Sequence, residues 1–240
     1  MLPSVAILCG GRGTRLQEHV PSIPKPLVEI GGRPILWHVM QIYIAQRFTR
    51  FLLLTGYKAE LIEAFVRETA WPQDVAVSCL DTGVDTPTGG RLRRAAGSIS
   101  DQRFCATYAD GVADIDLHAL LEFHRTQQAA ATMTVVRPQN PWGVAELDGD
   151  RIAGFHEKPP LDCWVNGGFF VMEPRALDHM GADDILEREP LAALAKQGEL
   201  AAYRHGGFWD CMDTYKDTLL LNELWSQGRA PWRSLVEVGG

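Results

Sequence analysis

The sequence predicts an α/β protein: a mixed, mostly parallel sheet with helices on both faces. Three observations predict it. Short apolar runs recur along the chain, segments with helical spacing of apolar residues separate them, and glycine stands where the first runs stop. No repeat, low-complexity segment or long linker divides the 240 residues, so a single domain over residues 1–240 is expected.

Residues 5–9 (VAILC) are continuously apolar and stop at Gly10-Gly11, as a short buried strand would. Pro21, Pro24 and Pro26 mark a loop, residues 28–30 a short strand and Gly31-Gly32 a hairpin-like turn. Pro34 suits the first turn of a helix, with Ile35, Val39, Ile42 and Tyr43 on one apolar stripe. Residues 51–55 read as a second buried strand ending at Gly56, 60–68 as a helix and 75–80 as a third strand. A helix at 91–99, a strand at 103–110, a helix at 117–126 and a strand at 131–138 continue the alternation. Residues 143–159 alternate like two antiparallel strands around Asp148-Gly149, an elaboration of the sheet. Then come a strand at 165–172, a helix at 183–198, a strand at 200–213 and a helix at about 214–227.

Composition narrows the function. With 23 basic against 30 acidic residues the net charge is −7, which argues against a nucleic-acid partner gripped by a broad basic surface. Five cysteines (Cys9, Cys79, Cys105, Cys163 and Cys211) are an odd number with no CxxC, so a disulfide framework or zinc site is not expected and a reducing, cytoplasmic setting is. No apolar run approaches the ~20 residues that span a bilayer, and no signal-peptide pattern is visible.

The glycine turn "CGGRGTRL" behind the first strand invites an anion. It lacks the lysine and hydroxyl of a P-loop. It also lacks the third glycine of a dinucleotide fingerprint, where Leu16 stands, and the next strand ends in Gly56, Tyr57 and Lys58 rather than an acid. What remains is a backbone nest with two guanidiniums, Arg12 and Arg15, and Lys25 held between prolines in "PKP". A solvated turn with surface ion pairs fits such a short motif equally well.

The longer pattern decides between them. "GGRGTRL…PKPLVEIGGRPILWHVM", "LDTG", "TGGRLRR", "YADGVADIDL", "FHEKP", "NGGFFV", "EREPLAALAKQGEL" and "GFWDCMDTYKD" follow one another over nearly the whole chain. Together they resemble the sugar-nucleotide pyrophosphorylases, the sugar-1-phosphate nucleotidyltransferases, and within them the glucose-1-phosphate cytidylyltransferase branch. The resemblance implies a Rossmann-like mixed sheet with the site at the carboxyl ends of its strands. It also implies the reaction: a sugar-1-phosphate oxygen attacks the α-phosphorus of a nucleoside triphosphate and pyrophosphate leaves.

The resemblance assigns roles by position. Asp110 and Asp213 would hold Mg²⁺, which favours one or two carboxylates plus substrate phosphates. Each could instead cap a turn or helix. Arg15 would bind the β and γ phosphates, supported by Gly10, Gly11, Gly13 and Thr14, with Leu8 lining the nucleotide site. Lys25 would face the α-phosphate, and Arg12 is a rim charge. Lys158 would hold the sugar's phosphate, and Asn166 and Glu189 its hydroxyls; alone, Lys158 reads as a surface lysine and Glu189 as a solvated helix face. "TGGRL" matches the cytidine-specific members, so Thr82, Gly89, Gly90 and Arg91 would read the pyrimidine edge.

Two departures, a short segment between Tyr57 and Asp81 and the stretch "QNPWGVAEL", leave the acceptor open between glucose 1-phosphate, another hexose phosphate, a cyclitol phosphate and a phosphonate. A non-catalytic nucleotide-binding regulator is the alternative from another class. Cys9 reads as a small buried residue or a reactive thiol. The tryptophans of "LWSQGRAPWRSL" pack on their own domain or on a second subunit, and a homo-oligomer is expected.

Overall fold

The computed structural model describes residues 1–17 and 23–234, with the side chains of Arg15 and Gln17 outside the described set. Strands β1 (Val5–Leu8), β4 (Arg50–Thr55), β5 (Ala76–Asp81), β6 (Phe104–Tyr108), β8 (Ala131–Val136), β11 (Val165–Met172) and β12 (Leu200–Arg204) build a seven-stranded sheet in the order β12-β8-β11-β6-β1-β4-β5. Every neighbouring pair is parallel except those of β11, which runs antiparallel between β6 and β8. Short two-stranded sheets pair β2 (Glu29–Ile30) with β3 (Arg33–Pro34), β7 (Gly111–Ala113) with β13 (Trp209–Cys211), and β9 (Val144–Asp148) with β10 (Arg151–His156).

Side-chain alternation along the strands makes two cores. Val5, Ile7, Phe51, Leu53, Phe169 and Val171 face one side, where Ile35, Leu36 and Val39 of α2 (Ile35–Ile44), Ile62 of α3 (Ala59–Glu68), Leu117 and Leu120 of α5 (Leu117–Gln127) and Leu221 of α7 (Tyr215–Ser226) cover them. Ala6, Leu8, Leu54, Phe104, Ala106 and Phe170 face the other, under Leu92 of α4 (Thr88–Ala95) and Leu191 and Leu194 of α6 (Glu189–Lys196). A period of two places adjacent strand residues on opposite faces, so a sheet covered twice reads as the unbroken apolar runs of the sequence. The carboxyl ends of β1, β4 and β6 form one edge, and the glycine turn with the four-residue α1 (Thr14–Gln17) follows β1 there.

The remaining expectations meet the structure with some shifts. Gly31 and Gly32, at φ +60° and +76°, turn the β2–β3 hairpin as a two-residue loop with both central residues left-handed. α4 begins at Thr88, three residues before the expected helix, and carries two glycines in its first turn. The helix expected over 183–198 is confined to Glu189–Lys196, with Pro190 in its first turn. Residues 200–213 are two strands in different sheets, not one. The β9–β10 hairpin does not extend the main sheet; it stands apart, its pairing bulged between Ile152 and Gly154. Leu147, Ile152 and Phe155 on it are 72%, 66% and 62% exposed.

Trp232 is fully buried beside His38 and Phe208, and Trp225 packs there too, so the C-terminal tryptophans cover their own domain. His38 is locked neutral: burial lowers its pKa to about 4, its Nε2 donates to the Ile30 carbonyl at 2.8 Å, and its Nδ1 accepts from Trp232 Nε1 at 3.4 Å. No helix among the described residues is long and apolar enough to cross a membrane.

Candidate active site

At the carboxyl edge one lysine holds two aspartates together. Lys25 Nζ lies 2.6 Å from Asp110 Oδ2 and 2.8 Å from Asp213 Oδ1. Each residue arrives from a different element: Lys25 opens a single 3₁₀ turn (Lys25–Leu27), Asp110 follows β6, and Asp213 follows β13. The antiparallel β7–β13 pairing sets Cys211 opposite Gly111 and lets the Met212 amide donate to the Asp110 carbonyl at 2.9 Å, which brings the two aspartates side by side. Asp213 does not cap the last helix. Thr214 and Asp217 form a capping box there, and Asp213 faces Lys25. Burial alone would lower the Lys25 pKa, but the charges and hydrogen bonds of Asp110 and Asp213 outweigh it and raise the value above 10.5. The ammonium is therefore charged throughout the physiological range.

Two pockets meet at this triad, sharing Tyr108 and Asp110. One, about 420 Å³, lies between the glycine turn and the start of α4 and is lined by Leu8, Gly10, Gly11, Gly13, Lys25 and Thr88, among others. The second, about 340 Å³, is lined by Asn166, Gly167, Glu187, Trp209 and Asp213, among others. Both volumes fall in the range of small-molecule sites. A larger groove, about 1150 Å³, is lined by Trp37, Phe65 and Trp71, among others, and shares no lining residue with them.

The glycines of the first pocket have different reasons. A Cβ on Gly10 would lie 2.0 Å from Arg91 Nη1, and one on Gly56 2.5 Å from the same atom. Gly13 has φ +62°, and a Cβ there would meet the Lys25 side chain at 2.7 Å. Gly11 has open space around it and borders the pocket.

Arg91 explains the crowding. Buried at 3% exposure, its guanidinium donates to the carbonyls of Gly10, Thr55, Gly83 and Val84 and to Thr82 Oγ1, at 2.6–3.2 Å. Arg91 thus ties the glycine turn to the ends of β4 and β5. The Thr82 hydroxyl donates to the Thr55 carbonyl at 2.7 Å. Thr82 lines neither pocket.

Gly89 and Gly90 also admit a neighbour. A Cβ on Gly90 would fall 2.0 Å from the Ala182 carbonyl oxygen, and one on Gly89 2.8 Å from that of Asp184. Of the four residues expected to read the base, only Arg91 borders the pocket; Thr86 and Thr88, which sequence reasoning passed over, do as well. Their signal was present as two hydroxyls in "TPTGG" ahead of a helix start.

Asn166 lines the second pocket, its Nδ2 donating to the Tyr108 hydroxyl at 3.0 Å. The glutamate that lines it is Glu187, not Glu189. Glu189 is the exposed first residue of α6 and lines neither pocket, whereas Glu187 accepts from Tyr108 Oη and Thr88 Oγ1. Lys158, 49% exposed and at φ +48°, also lines neither pocket, and Glu157 stands 4.0 Å away. Thr14 is exposed at the start of α1, the Arg15 side chain lies outside the described residues, and Arg12 pairs with Asp85 at the rim. Cys9 is buried and its pKa is pushed well up by burial, which removes the reactive-thiol reading.

A glycine turn, an ammonium between two aspartates and an adjoining pocket that holds Asn166 and Glu187 suit transfer between phosphates. The family model described as nucleotidyl transferase matches residues 4–209. This chain belongs to the nucleotidyltransferase family. The nucleotidyltransferase is 42% identical over 248 residues to a probable glucose-1-phosphate cytidylyltransferase of Bacillus subtilis, with 95% of this chain and 98% of the relative covered. It is 41% identical over 251 residues to the glucose-1-phosphate cytidylyltransferase of Salmonella typhi, at the same coverage. Its fold matches the crystal structure of HddC from Yersinia pseudotuberculosis with a TM-score of 0.74 at 23% identity, covering 93% of this chain and all of the other.

Proposed function

We propose that this nucleotidyltransferase condenses CTP with glucose 1-phosphate to form CDP-glucose and pyrophosphate. Identity of 41–42% over nearly full length to glucose-1-phosphate cytidylyltransferases supports the substrates. The single structural observation behind the chemistry is the Lys25 ammonium clamped between Asp110 and Asp213 where two pockets join. The first pocket takes the nucleotide and the second the acceptor.

The reaction asks little of the protein beyond placement and charge. A phosphate monoester has a second pKa near 6 and is a dianion at pH 7–8, so the nucleophile needs no general base. Its oxygen forms a bond to the α-phosphorus while the bond to the bridging oxygen of the leaving pyrophosphate breaks. Two polyanions must lie in line and their charge be neutralised, which is positioning plus electrostatics. Lys25 places one fixed positive charge at the junction, on the α-phosphate side. Amides of Gly10, Gly11 and Gly13 cradle the triphosphate and Arg15 binds its outer phosphates. Asn166 and Glu187 orient the acceptor's hydroxyls; Lys158, which lines neither pocket, is assigned to its phosphate by the "EKP" motif alone.

Two adjacent carboxylates already sharing one cation fit a divalent ion completed by phosphate oxygens. In this proposal Asp110 and Asp213 would hold Mg²⁺, which supplies Lewis-acid neutralisation of the phosphate oxygens. Self-association belongs to the same reading. An isolated hairpin is marginal in water, and the exposed apolar residues of β9–β10 support a second copy as their cover.

The test is pyrophosphate release with Mg²⁺ and glucose 1-phosphate across CTP, UTP, dTTP, GTP and ATP. CTP-selective turnover supports the proposal. Equal rates with UTP overturn the base assignment, and no release with any of them overturns the function.

A further inference from the structure

We infer that Thr88 is a positioning residue that couples the nucleotide pocket to the acceptor pocket by holding Glu187. The inference rests on the assignment of the two pockets above. Thr88 is the first residue of α4 and borders the nucleotide pocket. Its Oγ1 works in both directions: it accepts from the Leu186 amide at 2.9 Å and donates to Glu187 Oε2 at 2.7 Å. The other carboxylate oxygen of Glu187 accepts from Tyr108 Oη, which in turn accepts from Asn166 Nδ2. A continuous chain of hydrogen bonds therefore runs from Thr88 through Glu187 and Tyr108 to Asn166.

The backbone carries the same connection. The Gly90 amide donates to the Asp184 carbonyl at 3.1 Å, and Gly89 and Gly90 leave no room for a Cβ against Asp184 and Ala182. The two glycines let the segment before α6 dock on the start of α4, and Thr88 fastens the docked segment at Leu186 and Glu187.

Glu187 is exposed, and an exposed glutamate ordinarily samples many rotamers at a cost in entropy when fixed. Here both oxygens are already engaged, yet each keeps a second lone pair for a sugar hydroxyl. Tyr108 Oη donates to Glu187 while it accepts from Asn166 Nδ2, so it links the two side chains. Nucleotide bound against Thr88 steadies the end of the chain that orients the acceptor. Linkage makes the effect reciprocal.

The test compares Thr88→Val and Thr88→Ser with the wild type. Wild-type turnover of CTP with glucose 1-phosphate is measured first, since its absence would sink the assignment of the pockets and not the relay. Loss of one hydrogen bond to a charged group corresponds to roughly 10- to 100-fold. Thr88→Val should raise the KM for glucose 1-phosphate at saturating CTP by that factor, with the affinity for CTP alone, measured without acceptor, changed less than about threefold. Thr88→Ser, which keeps the hydroxyl, should restore it. Calorimetry gives a second reading: CTP should tighten glucose 1-phosphate binding in the wild type and in the serine variant, and not in the valine variant. An unchanged acceptor KM, an equally large loss of CTP affinity in the absence of acceptor, or a serine variant as impaired as valine would overturn the inference.

Discussion

Replacing Lys25 with methionine keeps most of the side chain's volume and removes its charge, which makes it the sharpest probe of the junction. Lys25 Nζ sits 2.6 and 2.8 Å from its two carboxylates, so those oxygens lie no more than about 5 Å apart. Two unit charges at ~5 Å repel by roughly 3 kcal/mol at an effective dielectric constant near 20. The carboxylate side chains are 26% and 37% exposed, and screening reduces that figure to the order of 1 kcal/mol. The fold should survive. Turnover should not: removing a preorganised charge from developing phosphate charge costs ~10²–10³ in kcat. The assay is pyrophosphate release at saturating substrates, with a thermal melt to confirm the fold. The pH profile adds a sign. A raised lysine pKa keeps the ammonium's contribution intact below 10.5 and loses it only as pH rises through the higher folded value. The wild-type rate should therefore show no lysine-dependent alkaline limb below about pH 10. A Lys25→Met variant turning over within threefold of wild type would refute the reasoning.

Other expectations follow from particular contacts. Arg91→Met would remove the guanidinium's five hydrogen bonds to Gly10, Thr55, Thr82, Gly83 and Val84, and at ~1 kcal/mol each the loss should exceed about 3 kcal/mol in urea unfolding; a loss under 1 kcal/mol would deny Arg91 its place as a tie. His38, neutral when folded with a pKa near 4 against 6.5 unfolded, contributes stability that is full above pH 6.5 and falls as pH drops toward 4. About 2 kcal/mol should be gone by pH 5, and His38→Gln should flatten that part of the curve; an equal slope in the variant would assign the effect elsewhere. Glu187→Gln should raise the acceptor KM at least tenfold more than Glu189→Gln, because only Glu187 borders the pocket; the reverse order would return the role to Glu189. Sedimentation of the wild type should show an assembly larger than a monomer, and Phe155→Asp with Leu147→Asp should dissociate it; a monomeric wild type would remove the hairpin's assigned role.

The fold was legible because the first two strands of its main sheet are largely buried and stop at glycine. β1 and β4 appear in the sequence as unbroken apolar runs, and the helices between them as spaced stripes. The antiparallel insertion of β11 carried no such signal, since a strand's direction leaves no mark on its composition. Lys25, Asp110 and Asp213 were legible through their motifs, which sit where elements end.

Glu187 was not legible, because "EREP" offers two glutamates two residues apart. Only Pro190 hinted that the helix starts at Glu189 and leaves Glu187 in the loop beside the pocket. The glycines of "TGGR" carry a packing reason that the sequence does not show. Close approach by backbone calls for glycine whether the neighbour is a ligand or another loop, and here Ala182 and Asp184 are the neighbours. Arg91 looked like a ligand reader, whereas the carbonyls that absorb it come from Gly10, Thr55, Gly83 and Val84, residues distant in sequence and visible only after folding.

The most direct measurement is ³¹P NMR of the protein with CTP, glucose 1-phosphate and Mg²⁺. The account predicts consumption of both substrates and growth of a pyrophosphate diester with two coupled phosphorus signals, matched one to one by free pyrophosphate. Formation of CMP and pyrophosphate with glucose 1-phosphate untouched would mean that water, not the sugar phosphate, attacks the α-phosphorus, and would contradict it.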